Sequence, residues 1–367
     1  MTDLLKETLT SRATETEPPP LDLDTIMATG TRRLRRRRAG SILGTALAVV
    51  GVVATGLTVV RTNSPAPADS PAYFSERQAT YAVGGTIHSG DATIDTGAQK
   101  ISRLVLSDAG ILFTAVGSQT LRVTDGKKVR ELAELAPESR LVASGELAGW
   151  EQRTPDGYRT VVKNLQTGAT IFELDHVGTL SAPTADRPAL GHLVAVDGDY
   201  VYLEYQQDMY EVDLRTGNGR VMSTPSDQQS IVTFGSGHLV FVAAGLGHES
   251  AYIGFSDRTG TGGSVQNFSG AVEEIVAAVS PKGHYVALKA GATPLRIYNS
   301  NGGRRNLAGT PPQRFGHWLS ADTFLAATAG PPADLVTCTV QTAEDVTCRI
   351  SRRSATPDAS ELVFPSN

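Results

Sequence analysis

Residues 197–217 read Asp197-Gly198-Asp199-Tyr200-Val201-Tyr202-Leu203-Glu204-Tyr205-Gln206-Gln207-Asp208-Met209-Tyr210-Glu211-Val212-Asp213-Leu214-Arg215-Thr216-Gly217. Asp-Gly-Asp and Thr-Gly are turn signals, since glycine takes the positive φ that tight reversals demand. Between them, Val201-Tyr202-Leu203-Glu204-Tyr205 alternates as a strand with two unlike faces does. The same punctuation recurs along the chain. One turn series runs Asp125-Gly126, Thr167-Gly168, Thr216-Gly217, Thr259-Gly260, Gly302-Gly303 and Ala343-Glu344-Asp345, at intervals of 41 to 49 residues. A second series precedes it: Asp108-Ala109-Gly110, Ser144-Gly145, Asp197-Gly198-Asp199, Gly235-Ser236-Gly237, Pro281-Lys282-Gly283 and Ser320-Ala321-Asp322. Each unit therefore holds two hairpins, or four short strands, which is the spacing of a β-propeller blade.

The expected fold class is all-β, a β-propeller, with a β-sandwich or barrel as the alternative. A sandwich gives short strands and turns but no constant two-hairpin period. Six turn pairs fall within residues 101–350. Thr80-Tyr81-Ala82-Val83-Gly84-Gly85-Thr86-Ile87 offers further strand near the start, and Glu361-Leu362-Val363-Phe364 another near the end. Pairing the two within one blade closes the ring and removes its open edges. Seven blades with a composite closing blade are expected, and six are the alternative. Residues 128–135 alone carry a helix-like spacing.

The run Val279-Ser280-Pro281-Lys282-Gly283-His284-Tyr285-Val286-Ala287-Leu288 resembles the Ser-Pro-Asp-Gly-Lys-x-apolar-Ala-apolar signature of TolB-type, WD-repeat-like propellers, with Lys282 at the usual Asp position. Trp318-Leu319-Ser320-Ala321-Asp322-Thr323-Phe324-Leu325-Ala326-Ala327 is a degenerate version. The resemblance implies that each signature is a structural hairpin between the first two strands of a blade, not a catalytic device. The segment from Cys338 to Cys348 is similar to the Cys-strand-turn-strand-Cys hairpins of secreted propellers from high-GC Gram-positive bacteria. Such a source also fits 26 arginines against seven lysines. The two cysteines lie symmetrically about Ala343, and a turn there would set them opposite each other. A disulfide between them is expected on that resemblance, and a pair of buried thiols is the alternative.

Ahead of the strands stand Arg32, Arg33, Arg35, Arg36, Arg37 and Arg38, followed by residues 39–60 without one charged side chain. At about 1.5 Å per helical residue this run reaches about 33 Å, enough to cross a hydrocarbon core of about 30 Å. Arginine-rich flanks stay on the cytoplasmic side, so the following chain is carried across. The expected organisation is a cytoplasmic, mostly disordered tail over 1–38, a transmembrane helix over 39–60, a proline-rich linker over 61–75 and an extracytoplasmic propeller over 76–367. A cleaved signal peptide is the alternative, against which stand the long preceding tail and the long apolar run. Gly40 and Gly44 form a small-xxx-small pair that would let two such helices pack.

The chain carries a formal net charge of −5, yet beyond Arg61 there are 24 basic and 32 acidic residues. So acidic an outer part is poorly suited to nucleic acid. The arginine cluster, in contrast, suits anionic lipid headgroups, making the lipid bilayer an expected partner.

Standard catalytic patterns are missing: there is no Gly-x-Ser-x-Gly elbow, phosphate loop, His-Glu-x-x-His or calcium loop. Asp197-Gly198-Asp199 is explained by a hairpin turn, and Gly245-Leu246-Gly247 lacks a third glycine. The seven histidines (His88, His176, His192, His238, His248, His284 and His317) show no ligand spacing, although a propeller channel could gather several. Trp150 and Trp318 read as packing residues. Asn267-Phe268-Ser269 fits a glycosylation acceptor that a bacterial source would leave idle. No catalytic, cofactor or metal site is expected. The chain reads as a single-pass plasma-membrane protein displaying a non-enzymatic binding scaffold for a protein or cell-envelope ligand. The alternative is an extracytoplasmic propeller hydrolase or lyase whose residues converge at the channel mouth.

Overall fold

The computed structural model describes residues 78–177, 192–205, 208–222, 229–244, 251–257, 265–268, 275–290, 294–299, 303–341 and 345–366. In chain order the strands begin with β1 (Thr80–Val83), β2 (Thr86–Ser89) and β3 (Ala92–Asp95). Next come β4 (Ile101–Ser107), β5 (Gly110–Ala115), β6 (Thr120–Thr124) and β7 (Val129–Glu134), then β8 (Leu141–Ser144), β9 (Leu147–Thr154), β10 (Gly157–Asn164) and β11 (Thr170–Val177). They are followed by β12 (His192–Asp197), β13 (Tyr200–Tyr205), β14 (Asp208–Asp213) and β15 (Gly219–Met222), and by β16 (Gln229–Gly235), β17 (His238–Ala244), β18 (Ala251–Asp257) and β19 (Val265–Phe268). The last groups are β20 (Ile275–Val279), β21 (Tyr285–Ala290), β22 (Arg296–Asn299) and β23 (Arg304–Gly309), then β24 (Arg314–Trp318), β25 (Thr323–Ala327), β26 (Ala333–Val340) and β27 (Asp345–Thr356). A short 3-10 turn at Ala359–Glu361 leads into β28 (Leu362–Val363).

Successive quartets from β4 onward are antiparallel meanders in sequence order, and β28 joins the first three strands as β28-β1-β2-β3. The closing register pairs Ala82 with Val363 and Val83 with Leu362. Strand β23 pairs in parallel with β27, from Asn306 opposite Asp345 to Gly309 opposite Cys348, merging two quartets into one eight-stranded sheet. This contact requires a glycine. A Cβ on Gly309 would lie 2.5 Å from the carbonyl oxygen of Cys348, and its φ is +86°.

The core lies between sheets, because neighbouring residues on one strand serve opposite neighbours. Val161 packs with Leu121 and Val105 on one side, whereas Val162 packs with Leu193 and Val201 on the other. The pairs Leu104 and Val105, Ala277 and Ala278, and Leu325 and Ala326 divide in the same way. Strands buried on both faces read as continuous apolar runs. The cluster of Tyr81, Leu325, Ala327, Ala333, Leu335 and Leu362 brings the last quartet back against the composite sheet. Together these clusters give an all-β, propeller-like ring.

The turns of both expected series that lie within the described residues fall at hairpins; Thr259-Gly260, Gly302 and Ala343-Glu344 lie outside them. The Ser280 turn keeps its form despite Lys282: Tyr285 N donates to Ser280 Oγ (3.1 Å) and Gly283 N to the Ser280 carbonyl (2.8 Å), while Lys282 is exposed. At one rim the first-hairpin turns are also bonded to each other across sheets. Asp108 N donates to the Gly145 carbonyl (2.7 Å), Gly198 N to Ser144 Oγ (3.2 Å), Gly237 N to Asp197 Oδ2 (2.8 Å), and Ser236 Oγ to the Pro281 carbonyl (2.7 Å).

The helix-like spacing of residues 128–135 is corrected: Val129–Glu134 is a strand paired with β6. Asp125 Oδ1 accepts from Lys127 N (2.9 Å) and Lys128 N (2.8 Å), which reverses the chain. As an outer strand, largely exposed, it has no buried face to impose alternation. The tail over 1–38 with its arginine cluster, residues 39–60, the 61–75 linker, His248 and Gly245-Leu246-Gly247 lie outside the described residues. Among the described residues no helix is long and apolar enough to cross a membrane.

Candidate functional site

The first strands of successive sheets (β4, β8, β12, β16, β20 and β24) pack against one another, which makes them the inner strands of the ring. The final segment runs parallel to β4, through a bridge between Leu104 and Pro365. Every inner strand enters from the preceding sheet and leaves through its first-hairpin turn, so their opening residues gather at the rim opposite those turns. Arg103 near the start of β4, Arg140 immediately before β8 and His192 at the start of β12 thus share one mouth. All three are exposed.

Hydrogen bonds join the segments that carry them. Arg103 Nη1 donates to the Ser139 carbonyl at 2.5 Å. The buried Ser139 hydroxyl, in turn, accepts from Glu151 N at 3.0 Å. Glu151 is a carboxylate on β9, only 3% exposed. Its Oε1 accepts from Leu193 N at 2.9 Å and lies 3.3 Å from His192 Nδ1. The same oxygen therefore anchors the Leu193 amide of the next inner strand and orients the imidazole of the residue before it. That hydrogen bond, more than the opposing burial, raises the His192 pKa above 6.5; the charges of Glu151 and Glu204 add to it and Arg140 opposes it. Tyr158 runs nearly parallel to the imidazole, at 6.2 Å between centroids and 5° between planes. Burial, with the Glu151 charge adding, pushes its hydroxyl up to about 12, so it stays protonated. A carboxylate-held imidazole with protonated phenol and guanidinium neighbours can hold an anion or exchange a proton.

The other histidines whose side chains are described are dispersed. His88 stacks on Tyr81 (4.8 Å), His238 Nδ1 lies 2.9 Å from the Ser236 carbonyl, His284 meets Tyr285 edge-on, and buried His317 Nε2 lies 3.0 Å from the Gln78 carbonyl. Among the described residues no group of three His, Cys, Asp or Glu could hold a metal ion. Trp150 and Trp318 are fully buried between sheets, and Trp318 Nε1 donates to the Ala278 carbonyl of the neighbouring sheet (3.0 Å). Asp197-Gly198-Asp199 is a turn, with Asp199 3.2 Å from Arg215. Cys338 and Cys348 face each other on β26 and β27 and are joined as a disulfide, Cα atoms 4.1 Å apart.

Sequence reading missed Glu151, Arg103, Arg140 and Tyr158, and it did not single out His192. The one local signal is Glu151 itself, a carboxylate beside Trp150 within a strand whose neighbours are buried.

No protein-family model matches the chain, and no curated protein does. Among solved structures, an oligogalacturonate lyase in complex with manganese is 15% identical with a TM-score of 0.43, over 68% of this chain and 82% of that one. BamB from Moraxella catarrhalis is 15% identical at 0.38, over 72% and 79%. The computationally designed protein Ika8 is 17% identical at 0.46, over 83% and 92%. The propeller-like fold stands on this chain's own strand pairing.

Proposed function

We propose that the chain is a single-pass membrane protein that holds a seven-bladed, TolB-type, WD-repeat-like β-propeller outside the cytoplasm, as a binding scaffold and not an enzyme. The observation that carries the reading is the cluster of Arg32, Arg33, Arg35, Arg36, Arg37 and Arg38 directly before the uncharged residues 39–60. The span and its arginines engage the lipid bilayer, the linker over 61–75 holds the domain off the surface, and the mouth around Arg103, Arg140 and His192 receives a protein or cell-envelope ligand. The count of seven is supported by six quartets of strands and the composite sheet. One observation favours the second reading, an extracytoplasmic hydrolase or lyase: Glu151 holds His192 as a carboxylate holds a general base.

Reporter fusions at Asn367 test the placement. A reporter that works only outside the cytoplasm is expected to be active there, and replacing the six arginines by neutral residues is expected to scramble the orientation. An active cytoplasmic reporter at Asn367 in the unaltered chain overturns the assignment.

A further inference from the structure

Charge is not spread evenly around the ring. Residues 275–309, which form β20 to β23, carry Lys282, Lys289, Arg296, Arg304 and Arg305 and not one acid, although the chain beyond Arg61 holds 32 acidic residues against 24 basic. No other quartet is free of acids. The stretch from β4 to β7 holds as many basic residues but sets Asp108, Asp125, Glu131 and Glu134 among them. The parallel seam extends the basic surface. Strands β23 and β27 are the last of their quartets, furthest from the inner strands, and they pair from Asn306 opposite Asp345 to Gly309 opposite Cys348. Ile297 of β22, Leu307 of β23 and Val346 and Cys348 of β27 all pack on one cluster, so the merged sheet bends around it. Residues an odd number of positions from these take the opposite, outward face. Arg296, Arg304 and Arg349 are such residues.

The registers give their spacing. Arg304 stands opposite Tyr298, which makes Arg296 its diagonal neighbour at about 7–8 Å. Arg349 is level with position 310 of β23, about six residues or 20 Å further along the seam. Arg304 and Arg349 are exposed and Arg296 is half-buried. Arg353, also exposed, continues the line, and Asp345 is the one acid of β27. We propose that this convex outer edge binds a linear polyanion, a polymer of repeated phosphate or carboxylate groups, with Arg296, Arg304 and Arg349 as its charge partners. Guanidinium groups match either oxyanion through paired N–H donors. Positive charges strung along an edge favour a polymer, which gains from several weak contacts at once, over a single small anion. A flat bilayer meets a convex edge at few points, whereas a flexible chain follows it. The surface is separate from the mouth around His192 and does not depend on the reading of that mouth.

The test is fluorescence anisotropy of labelled polyphosphate and, separately, labelled polyglutamate, titrated with the full-length chain in detergent at about 0.15 M salt, where charges are screened beyond about 8 Å. Arg32, Arg33, Arg35, Arg36, Arg37 and Arg38 are replaced by glutamine throughout, so that the tail does not compete for the probe. Saturable binding of at least one polymer is expected; polyphosphate alone identifies a phosphate ligand and polyglutamate alone a carboxylate ligand. Arg304→Gln together with Arg349→Gln is expected to weaken binding about tenfold and to flatten its salt dependence. Lys128→Gln together with Arg130→Gln removes the same charge from exposed positions at β7 and is expected to leave both unchanged. No binding of either polymer, equal losses in the two double variants, or displacement by inorganic phosphate at the same total phosphate concentration overturns the edge as a polymer site. Phosphatidylglycerol vesicles that displace both polymers overturn it in favour of a lipid surface. Each of these results leaves the reporter result untouched.

Discussion

The guanidinium of Arg352 lies 5.7 Å from the ring centroid of Tyr81 and donates to its hydroxyl, tying together residues 271 positions apart. The ring of Tyr81 is buried in the cluster that closes the circle, and His88 stacks on it. Burial lowers the His88 pKa first, and the Arg352 charge lowers it further. Arg352→Ala is therefore expected to move the His88 titration upward, still short of 6.5 because burial remains. An NMR titration of the ring protons checks this, and an unchanged or lower midpoint contradicts it. Tyr81→Phe keeps the ring and loses the acceptor, at a cost of about 1 kcal/mol, or about 2–4 °C in Tm.

The Glu151–His192 pair makes stability depend on pH. The His192 pKa is raised in the folded state, so its contribution is fully present below the ordinary value of 6.5 and is lost as pH rises through the folded value. The Tm of the wild type relative to His192→Gln is expected to be more favourable at pH 6 than at pH 8.5. A difference that is flat or larger at pH 8.5 rules the linkage out.

Deleting residues 362–367 removes β28 and the tie from Ser366 N to the Leu104 carbonyl (2.8 Å). Strand β1 then presents an unpaired edge and the Leu362 pocket opens. The expected outcome is loss of the cooperative thermal transition together with aggregation, since an open apolar edge recruits other chains. A variant that melts as sharply as the parent would show that the ring does not depend on this closure.

Reducing the Cys338–Cys348 bond is expected to cost about 2–3 kcal/mol at most, because it closes a loop of only about ten residues. Both sulfurs sit in the buried cluster between the last two quartets, which holds the hairpin without them. Non-reducing peptide mapping of protein harvested from an oxidising compartment checks the bond, with two free thiols the adverse result.

A chain beginning at Ala72 is expected to be soluble, monomeric and almost wholly β by circular dichroism. Substantial helix in it would argue against the proposed division at the linker.

The hairpin turns were legible because their chemistry is local. Gly198 and Gly126 adopt φ of +57° and +86°, and the reversal needs that conformation wherever it occurs. The composite sheet was legible for a different reason: residues 80–87 and 361–364 are strand-like segments left over after the paired turns are counted. Strand β7 was misread because exposed outer strands escape the alternation that burial enforces. The mouth could not be read at all. Glu151 and His192 are 41 positions apart on different sheets, and only the packing of neighbouring inner strands brings the Ser139 carbonyl to Arg103. The parallel seam between β23 and β27 is equally non-local, although Gly309 marks it once the register is known.

The turn-to-turn hydrogen bonds from Asp108 to Pro281 run through five consecutive sheets, like a collar around one rim. Thermal breathing is thereby directed away from that arc. The sheets it binds would move together, while the clasp at Tyr81, His317 and Arg352 takes up the strain of opening. Amide exchange is then expected to be slowest along the collar and fastest beside the clasp, with the circle unfastening where β1 and β28 meet and not at an arbitrary gap.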